Sequence, residues 1–321
     1  MKLHNQVILH NPFAVSSTKF DEKQDFTARH GEFPKRVESE DGRYSFNPQE
    51  IRQGENGHVY RGFDNQLQRP VALKVVDDYG NDQAVIRVAR GLASIEDPGV
   101  MKVQEIVFFT LHGYKRIGVI YEWLEEPTIT EFAAPTNRFY IEAFLSVAIT
   151  LDRIHKQGWV HNDVAPDNIV IALNNGALRT VLSDWDISNM ASDKRTDYRN
   201  AYASPHAVTS NVFIPEDDNW SLLASFYNIL SGKVPFRDRS KSPDTYNKLE
   251  QNIHMVQALG LEATRKLDEF FHKHLCDDIK NLCNAEQLIL ELAAILPPDY
   301  LDKKSPKATS SAPSSTTPQK K

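Results

Sequence analysis

The hydrophobic pattern changes once along the chain, between residues 122 and 135, and this change limits the folds open to it. Before it lie short apolar runs bounded by Gly, Asn, Asp or Pro, which are typical of strands: 44–53, 58–64, 69–78, 100–113 and 116–126. The first three predict a small antiparallel sheet. After the change, apolar residues recur at helical spacing over 139–158, 218–232, 261–276 and 285–296. We therefore expect an α+β fold, in which a β-rich part precedes a helical part.

Composition narrows the class of partner. A chain of 321 residues is natural for two lobes, and its formal net charge of -6 gives no basic excess for nucleic acid. The two cysteines, Cys276 and Cys283, exclude a disulfide framework and favour a reducing compartment. The opening MKLHNQVILHNPF is too short and polar for a signal peptide, and no run approaches the roughly 20 apolar residues of a membrane span. We expect an intracellular protein, cytoplasmic or nuclear, that binds neither nucleic acid nor membranes.

The ends of the chain differ from its middle. Residues 1–44 are polar without a sustained period and predict an N-terminal extension, whereas 297–321 are rich in Ser, Thr, Pro and Lys and predict a disordered tail. The folded domain is expected over 45–296, with its β-rich lobe at about 45–122 and its helical lobe at about 127–296.

A glycine-containing turn and a lysine are the first candidate functional residues. Gly54 and Gly57 lie in QGENG between two predicted strands, where glycines let backbone N–H groups approach an anion. Lys74 ends the apolar run VALK on the next strand. Taken singly, the glycines suit an ordinary hairpin turn and the lysine suits a solvated strand end. The pair together favours a phosphate site.

The polar loop HNDVAPDN, residues 161–168, lies between a long amphipathic helix and the strand-like IVIAL. Asp163 can accept a proton or orient a hydroxyl, and the amide oxygen of Asn168 can bind a hard cation. Asp184, after another apolar strand end, supplies a carboxylate for the same purpose. Acidic and amide side chains also commonly cap turns. That alternative explains each residue alone better than it explains the ordered set.

Together these segments resemble the eukaryotic-type protein kinase superfamily, through its Gly-rich loop, strand lysine, catalytic loop and D-F-G motif. Three further stretches resemble the interlobe hinge, the end of the activation segment and the helix that anchors it: IYEWLEE at 120–126, AYASPH at 201–206 and DNWSLLASFYNILSGKVPF at 218–236. The resemblance covers about residues 50–295. It implies a bilobal protein-kinase-like fold with a small β-rich N-lobe and a larger helical C-lobe.

The resemblance also implies roles for individual residues. Asp163 would be the catalytic base or orienting group, Asn168 and Asp184 would hold Mg²⁺ or Mn²⁺, and Lys74 would pair the ATP phosphates. ATP would bind between the lobes, and a protein would be the phosphoryl acceptor. The positions expected to contact the nucleotide are Gly54, Gly57, Val59, Ala72, Lys74, Glu122 and Leu124.

Two departures from the family pattern lie in the β-rich part. Arg52 replaces the first glycine of the Gly-rich loop. The apolar residues of 82–95 recur at helical spacing and predict a helix. In it Val88 occupies the position that family members fill with a Glu for Lys74, so the usual ion pair is expected to be absent. Other acids could replace that Glu if the helix register differs: Asp77, Asp78 or Asp82.

Further departures lie in the helical part. Asn162 replaces the Arg before Asp163, which makes switching by phosphorylation at Thr196 or Tyr198 less expected. Ala165 stands where many Ser/Thr kinases carry Lys, and Asp186 replaces the glycine of D-F-G.

The end of the activation segment also departs from the pattern. His206 replaces the family's Glu, and Leu282 lies near the position of its Arg partner. Loss of both members of a buried ion pair is compatible with an intact fold.

Three functions remain open from these residues. Retention of Asp163, Asn168, Asp184 and Lys74 favours an active, divergent protein kinase that phosphorylates Ser or Thr. Val88, Ala165 and Asp186 favour a pseudokinase that binds partners. A small-molecule kinase is the third reading, against which the AYASP and DNWSLL stretches stand.

Overall fold

The computed structural model describes residues 36–54, 57–75, 82–111, 113–132, 137–174, 177–185, 202–210, 214–235, 260–275 and 283–295. The chain divides into two compact units, one of residues 1–77 and 105–120 and the other of residues 78–104 and 121–321. No helix within the described ranges is both long enough and apolar enough to cross a membrane.

The first unit is built on a six-stranded sheet in the order β1-β2-β3-β4-β6-β5. The first four strands pair antiparallel in sequence order. The strands run Val37–Glu38 (β1), Tyr44–Gly54 (β2), Gly57–Asp64 (β3), Arg69–Val75 (β4), Val103–Leu111 (β5) and Tyr114–Glu122 (β6). The five strands that the sequence predicted from residue 44 onward are therefore present, and the first three of them, β2 to β4, pair antiparallel as predicted.

The core of this unit lies on one face of the sheet. The Phe46 ring is 5.1 Å from that of Tyr60 and meets that of Phe109 edge-on at 5.2 Å. Aliphatic side chains of three strands pack in the same cluster as these rings: Val71, Leu73, Val75, Val107 and Ile120.

Residues 37–44, which the sequence placed in the N-terminal extension, belong to this sheet. Val37 pairs with Phe46, and Arg43 binds two acids from other strands: its Nη2 lies 3.0 Å from Asp64 Oδ2 and its Nη1 lies 2.7 Å from Glu105 Oε2. Because the Asp64 side chain is fully buried, this ion pair fixes the start of β2 on the sheet. A two-residue strand has too short a hydrophobic pattern to be predicted.

The second unit is mainly helical. Its helices run Asp82–Ala93 (α1), Asn137–His155 (α2), Pro205–Thr209 (α3), Pro215–Ser231 (α4), Leu261–His274 (α5) and Ala285–Ile295 (α6). The strands β7 (Ile169–Asn174) and β8 (Ala177–Leu182) form an antiparallel hairpin. The helix α2 packs on α4, α6 and β8, and the rings of Phe144, Phe226 and Phe271 join α2, α4 and α5 at centroid distances of 4.5 and 5.3 Å.

The predicted change from strands to long helices is confirmed, and with it the α+β class. The helices of the second unit hold the candidate catalytic residues, because the polar loop at residues 161–168 leaves α2 and enters β7 through a 3₁₀ turn, Pro166–Asn168.

Candidate active site

One buried carboxylate of α4 fixes the start of the loop HNDVAPDN. Asp218 Oδ2 accepts the backbone N–H of His161 at 2.7 Å, and Oδ1 accepts that of Asn162 at 2.8 Å. The ring Nε2 of His155 lies 2.9 Å from Oδ2 as well. Asp218 is 1% exposed, so these donors compensate for the loss of water around its charge. The loop therefore leaves α2 in a fixed direction.

His161 joins this loop to the segment after β8. The N–H of Asp163 donates to His161 Nδ1 at 3.3 Å, so the ring proton belongs on Nε2, which lies 3.0 Å from the carbonyl oxygen of Ser183. The Trp185 ring packs 4.6 Å from the imidazole, and both side chains are buried. The two motif segments consequently hold each other in place.

The side chain of Asn168 forms hydrogen bonds with both the backbone and the carboxylate of Asp163. Asn168 Nδ2 donates to the backbone oxygen of Asp163 at 2.8 Å and to its Oδ2 at 2.9 Å. The bonds orient the Asp163 carboxylate and employ the amide nitrogen of Asn168, so its Oδ1 is the amide atom that can face a cation. The Asn168 carbonyl accepts the N–H of Ser183 at 2.9 Å, and Asn168 itself is 4% exposed.

Asp184 lies two residues after the end of β8, beside an apolar strand end as the sequence predicted. Its φ is 57° and that of Asn162 is 70°, so both motif segments contain a residue in the left-handed region. Asp and Asn tolerate this conformation better than most residues with a Cβ. The indole N–H of Trp185 donates to the Leu182 carbonyl at 3.2 Å and holds the turn in which Asp184 lies.

Oxygen atoms of Asn168 and Asp184 are of the chemical type that Mg²⁺ prefers, so the residues present fit a Mg²⁺ site. No cluster of three or more His, Cys, Asp and Glu side chains that could hold a metal ion occurs among the described residues.

The candidates of the first unit lie on adjacent strands. Gly54 pairs with Gly57 at the end of the β2–β3 hairpin, and Val59 pairs with Lys74 across β3 and β4. Lys74 is only 4% exposed. The alternative of a solvated strand lysine is therefore wrong. Ala72, two residues earlier on β4, is also buried.

Glu122 and Leu124 of the predicted hinge lie in the second unit. Glu122 donates its backbone N–H to the Lys102 carbonyl at 3.0 Å, and its Oε1 accepts the Lys102 N–H at 3.0 Å. Its side chain also lies 3.6 Å from Arg179 Nη2. Leu124 is partly exposed just after β6.

Two of the residues that depart from the family pattern are packing residues, because Val88 is 5% exposed and Ala165 is 0% exposed. Of the acids that could replace the missing Glu, Asp82 is exposed at the start of α1, whereas Asp77 and Asp78 lie outside the described residues. Four other residues named in the sequence analysis also lie outside the described residues: Asp186, Thr196, Tyr198 and Leu282.

Sequence reasoning missed Asp218 and His155. The run EDD at the start of α4, residues 216–218, gave no distinguishing signal, because acidic residues are common in the first turn of a helix. The partners of Asp218, His161 and His155, lie 57 and 63 residues away in the sequence, which no local pattern shows.

Comparison with known families agrees with this geometry. A family model described as "Protein kinase domain" matches residues 47–290. The chain belongs to the protein kinase family.

This kinase domain is 23% identical over 261 residues to the probable serine/threonine-protein kinase PknB of Lactococcus lactis, and the match covers 76% of the chain. It is 28% identical over 234 residues to the serine/threonine-protein kinase PknL of Mycobacterium tuberculosis, which covers 68% of it. The matches span only 40% and 57% of these relatives' own length.

Solved kinase structures share its fold. Rad53 1-466 in complex with AMP-PNP superposes with a TM-score of 0.61 at 19% identity, covering 79% of this chain and 66% of that one. The PknI kinase domain of Mycobacterium tuberculosis gives 0.57 at 19% identity, covering 78% and 96%. The predicted bilobal kinase fold is thereby confirmed.

Proposed function

We propose that this chain is a protein kinase that transfers the γ-phosphoryl group of ATP to Ser or Thr hydroxyls of another protein. The observation that carries the proposal is the hydrogen bond from the Asn168 side chain to the Asp163 carboxylate, within a loop fixed by the buried Asp218. A carboxylate held in this way has an orientation that does not depend on substrate, as catalysis by positioning requires.

Asp163 is the residue proposed to accept or orient the substrate hydroxyl. Asn168 and Asp184 are proposed to hold Mg²⁺, which in this family supplies the positive charge that neutralises the phosphate oxygens during transfer. The hydrogen bond from Asn168 Nδ2 to Asp163 Oδ2 sets the direction in which this carboxylate would meet a hydroxyl.

The nucleotide contacts are proposed from the family pattern. Lys74, which is buried on β4, would pair the ATP phosphates, and the backbone at Gly54 and Gly57 would cover them. The remaining proposed contacts are Val59, Ala72, Glu122 and Leu124. The names of the relatives support Ser and Thr as acceptors and a protein as the substrate class.

A pseudokinase is the second candidate, because one observation favours it. Val88 is buried in the apolar side of α1 and cannot act as the acid that family members pair with the strand lysine. A kinase domain without that ion pair can retain its fold and bind partners without turnover. The two candidates differ in whether Asp163 matters for chemistry.

Phosphoryl transfer from labelled ATP, with Mg²⁺ or Mn²⁺, to the chain itself and to a protein extract tests the proposal. Asp163→Asn should lower transfer about 10²-fold to 10⁴-fold, the range for loss of a general base. Asp167→Asn is the matched control, because this exposed acid lies in the same loop, and it should leave transfer unchanged. Absence of transfer by a folded wild type that binds ATP would instead favour the pseudokinase.

A further inference from the structure

The segment Tyr202–Ser210 lies against the first turn of α4. Ser204 begins the short helix α3: its Oγ accepts the N–H of Ala207 at 2.8 Å and donates its proton to Asp217 of α4. Ser204 is fully buried and Asp217 is 3% exposed. At the other side of the segment, Tyr202 donates its hydroxyl to Asn228 Oδ1 at 3.1 Å.

His206 provides a second donor to the same carboxylate. Its Nδ1 lies 3.0 Å from Asp217 Oδ2 and 3.2 Å from Oδ1, and the backbone N–H of Ile214 reaches Oδ2 at 3.4 Å. Since a buried carboxylate accepts but cannot donate, the Nδ1 of His206 must carry its proton. This bond forms with either a neutral or a charged imidazole.

In this contact the donor and the acceptor have exchanged places relative to the family pattern, in which the residue at position 206 is the acid. The family's Glu at position 206 would face Asp217 and place two carboxylates in one buried site, which is unfavourable. In this chain the acid belongs to α4, and the donors belong to the segment. His206 therefore forms a buried polar contact from the position of the family's Glu, but its partner is Asp217, which the sequence did not indicate.

The neighbouring acid of α4 has a different task. Asp217 holds Ser204 and His206, whereas Asp218 holds the backbone of His161 and Asn162 at the start of the catalytic loop. Two consecutive residues of one helix therefore fix both segments. Any displacement of Tyr202–Ser210 relative to the catalytic loop has to break one of these sets of hydrogen bonds.

We propose that Ser204, His206 and Asp217 form a polar anchor that replaces the family's Glu–Arg pair and positions the protein substrate at Asp163. The second half of this statement rests on the proposed kinase function, since AYASP resembles the peptide-binding end of an activation segment. The first half rests on hydrogen bonds alone. The three are positioning residues, because they act through the segment and not on the reacting atoms.

Hydrogen exchange on the full chain tests the anchor without any need for activity. His206→Asn places an amide N–H where Nδ1 lies, whereas His206→Gln places it one atom further out. We expect exchange in peptides covering 202–210 to become about tenfold faster in His206→Gln and Asp217→Asn, and to stay within about twofold of wild type in His206→Asn. Peptides covering 161–162 should be unchanged.

Three exchange results would overturn the anchor. They are no acceleration in His206→Gln, equal acceleration in His206→Asn, and acceleration spread over the whole chain. Asp218→Asn provides the reciprocal control, since it should loosen residues 161–162 more than 202–210.

Steady-state kinetics test the positioning role. His206→Gln should raise KM for the protein substrate about fivefold and leave KM for ATP within about twofold, with His206→Asn close to wild type. An unchanged protein KM in a variant with a loosened segment would overturn positioning. Absence of transfer by the wild type would contradict the proposed kinase function, and the exchange result would then decide the anchor alone.

Discussion

Gly99 has no space for a side chain. A Cβ there would overlap Thr150 Oγ1 and would lie 2.9 Å from both Cβ and Cγ2 of this residue, which is 4% exposed on α2. On the opposite side, the Gly99 carbonyl accepts the N–H of Leu182 at 2.8 Å, at the end of the strand that leads to Asp184. The backbone at Gly99 is therefore held between a helix and a strand.

Gly99→Ala should destabilise the chain by about 1–3 kcal/mol, the usual cost of overpacking a filled interior. Thr150→Ala should restore part of the loss, because it removes two of the three overlapping atoms. Urea unfolding of the two single variants and the double variant measures this coupling. A stable Gly99→Ala protein would contradict the close contact.

Cys283 should be unreactive in the folded chain. The thiol is 2% exposed, and burial raises its pKa to about 12. Since the thiolate is the reactive form, only about one thiol in 10⁴ is ionised at pH 8. In a Cys276→Ser variant, iodoacetamide should label Cys283 only as fast as the protein unfolds. Rapid labelling without denaturant would show that the thiol is accessible.

Helices α5 and α6 are joined by the hydrogen bonds that Glu291 of α6 accepts from two residues of α5, and a third donor lies on α6 itself. Lys273 Nζ lies 2.6 Å from Glu291 Oε1, His274 Nε2 lies 2.7 Å from Oε2, and Gln287 Nε2 donates to Oε1 at 2.9 Å. Burial opposes the charge on Glu291, but these hydrogen bonds outweigh it and hold its pKa at about 2, below the ordinary 4.5.

A lowered carboxyl pKa makes stability depend on pH with a definite sign. The contribution of Glu291 is complete above about pH 4.5 and is lost as pH falls toward 2. Glu291→Gln should cost about 2 kcal/mol at pH 7, and this difference should vanish near pH 2. Denaturant unfolding of wild type and variant from pH 7 to 2 measures it.

The matched control for Glu291 is Glu262 on α5. Glu262 also contacts a lysine, Lys266 at 3.0 Å, but its side chain is 85% exposed. Exposed pairs contribute little, so Glu262→Gln should change stability by less than about 0.5 kcal/mol. Equal effects of the two variants would mean that burial is not what distinguishes them.

For the whole molecule, local pattern predicted the elements and missed the contacts that tie them together. The alternating apolar residues of 44–75 indicated β2 to β4, and helical spacing indicated α2 and α4. The polar motifs placed Asp163, Asn168 and Asp184 on loops beside apolar elements, where the structure has them.

The parts that were missed depend on residues distant in the sequence or on very short elements. β1 and α3 contain only 2 and 5 residues, too few for a period. Asp217 and Asp218 look alike in sequence, and only packing assigns one to Ser204 and the other to His161. The close approach of Gly99 to Thr150 has no sequence signal, because a Pro-Gly pair also fits an open turn.

Nucleotide binding should stabilise the whole chain if the proposed roles are right. ATP with Mg²⁺ at 100 times its Kd would add about 2.7 kcal/mol to the free energy of unfolding. Thermal unfolding followed by tryptophan fluorescence should show a higher Tm, and Asp184→Asn should remove the part that depends on Mg²⁺. Asp167→Asn, an exposed residue, should behave as wild type. An unchanged Tm in the wild type would argue against nucleotide binding.

The adjacent positions of Asp217 and Asp218 also restrict how the chain can change in length. An α-helix turns about 100° with each residue, so one residue inserted between the two acids would swing one carboxylate away from its partners while the other stayed in place. A residue inserted just after both would rotate both away from their partners. No residue of helix α4, Pro215–Ser231, is exposed, and insertions and deletions should be excluded from the positions around Asp217 and Asp218.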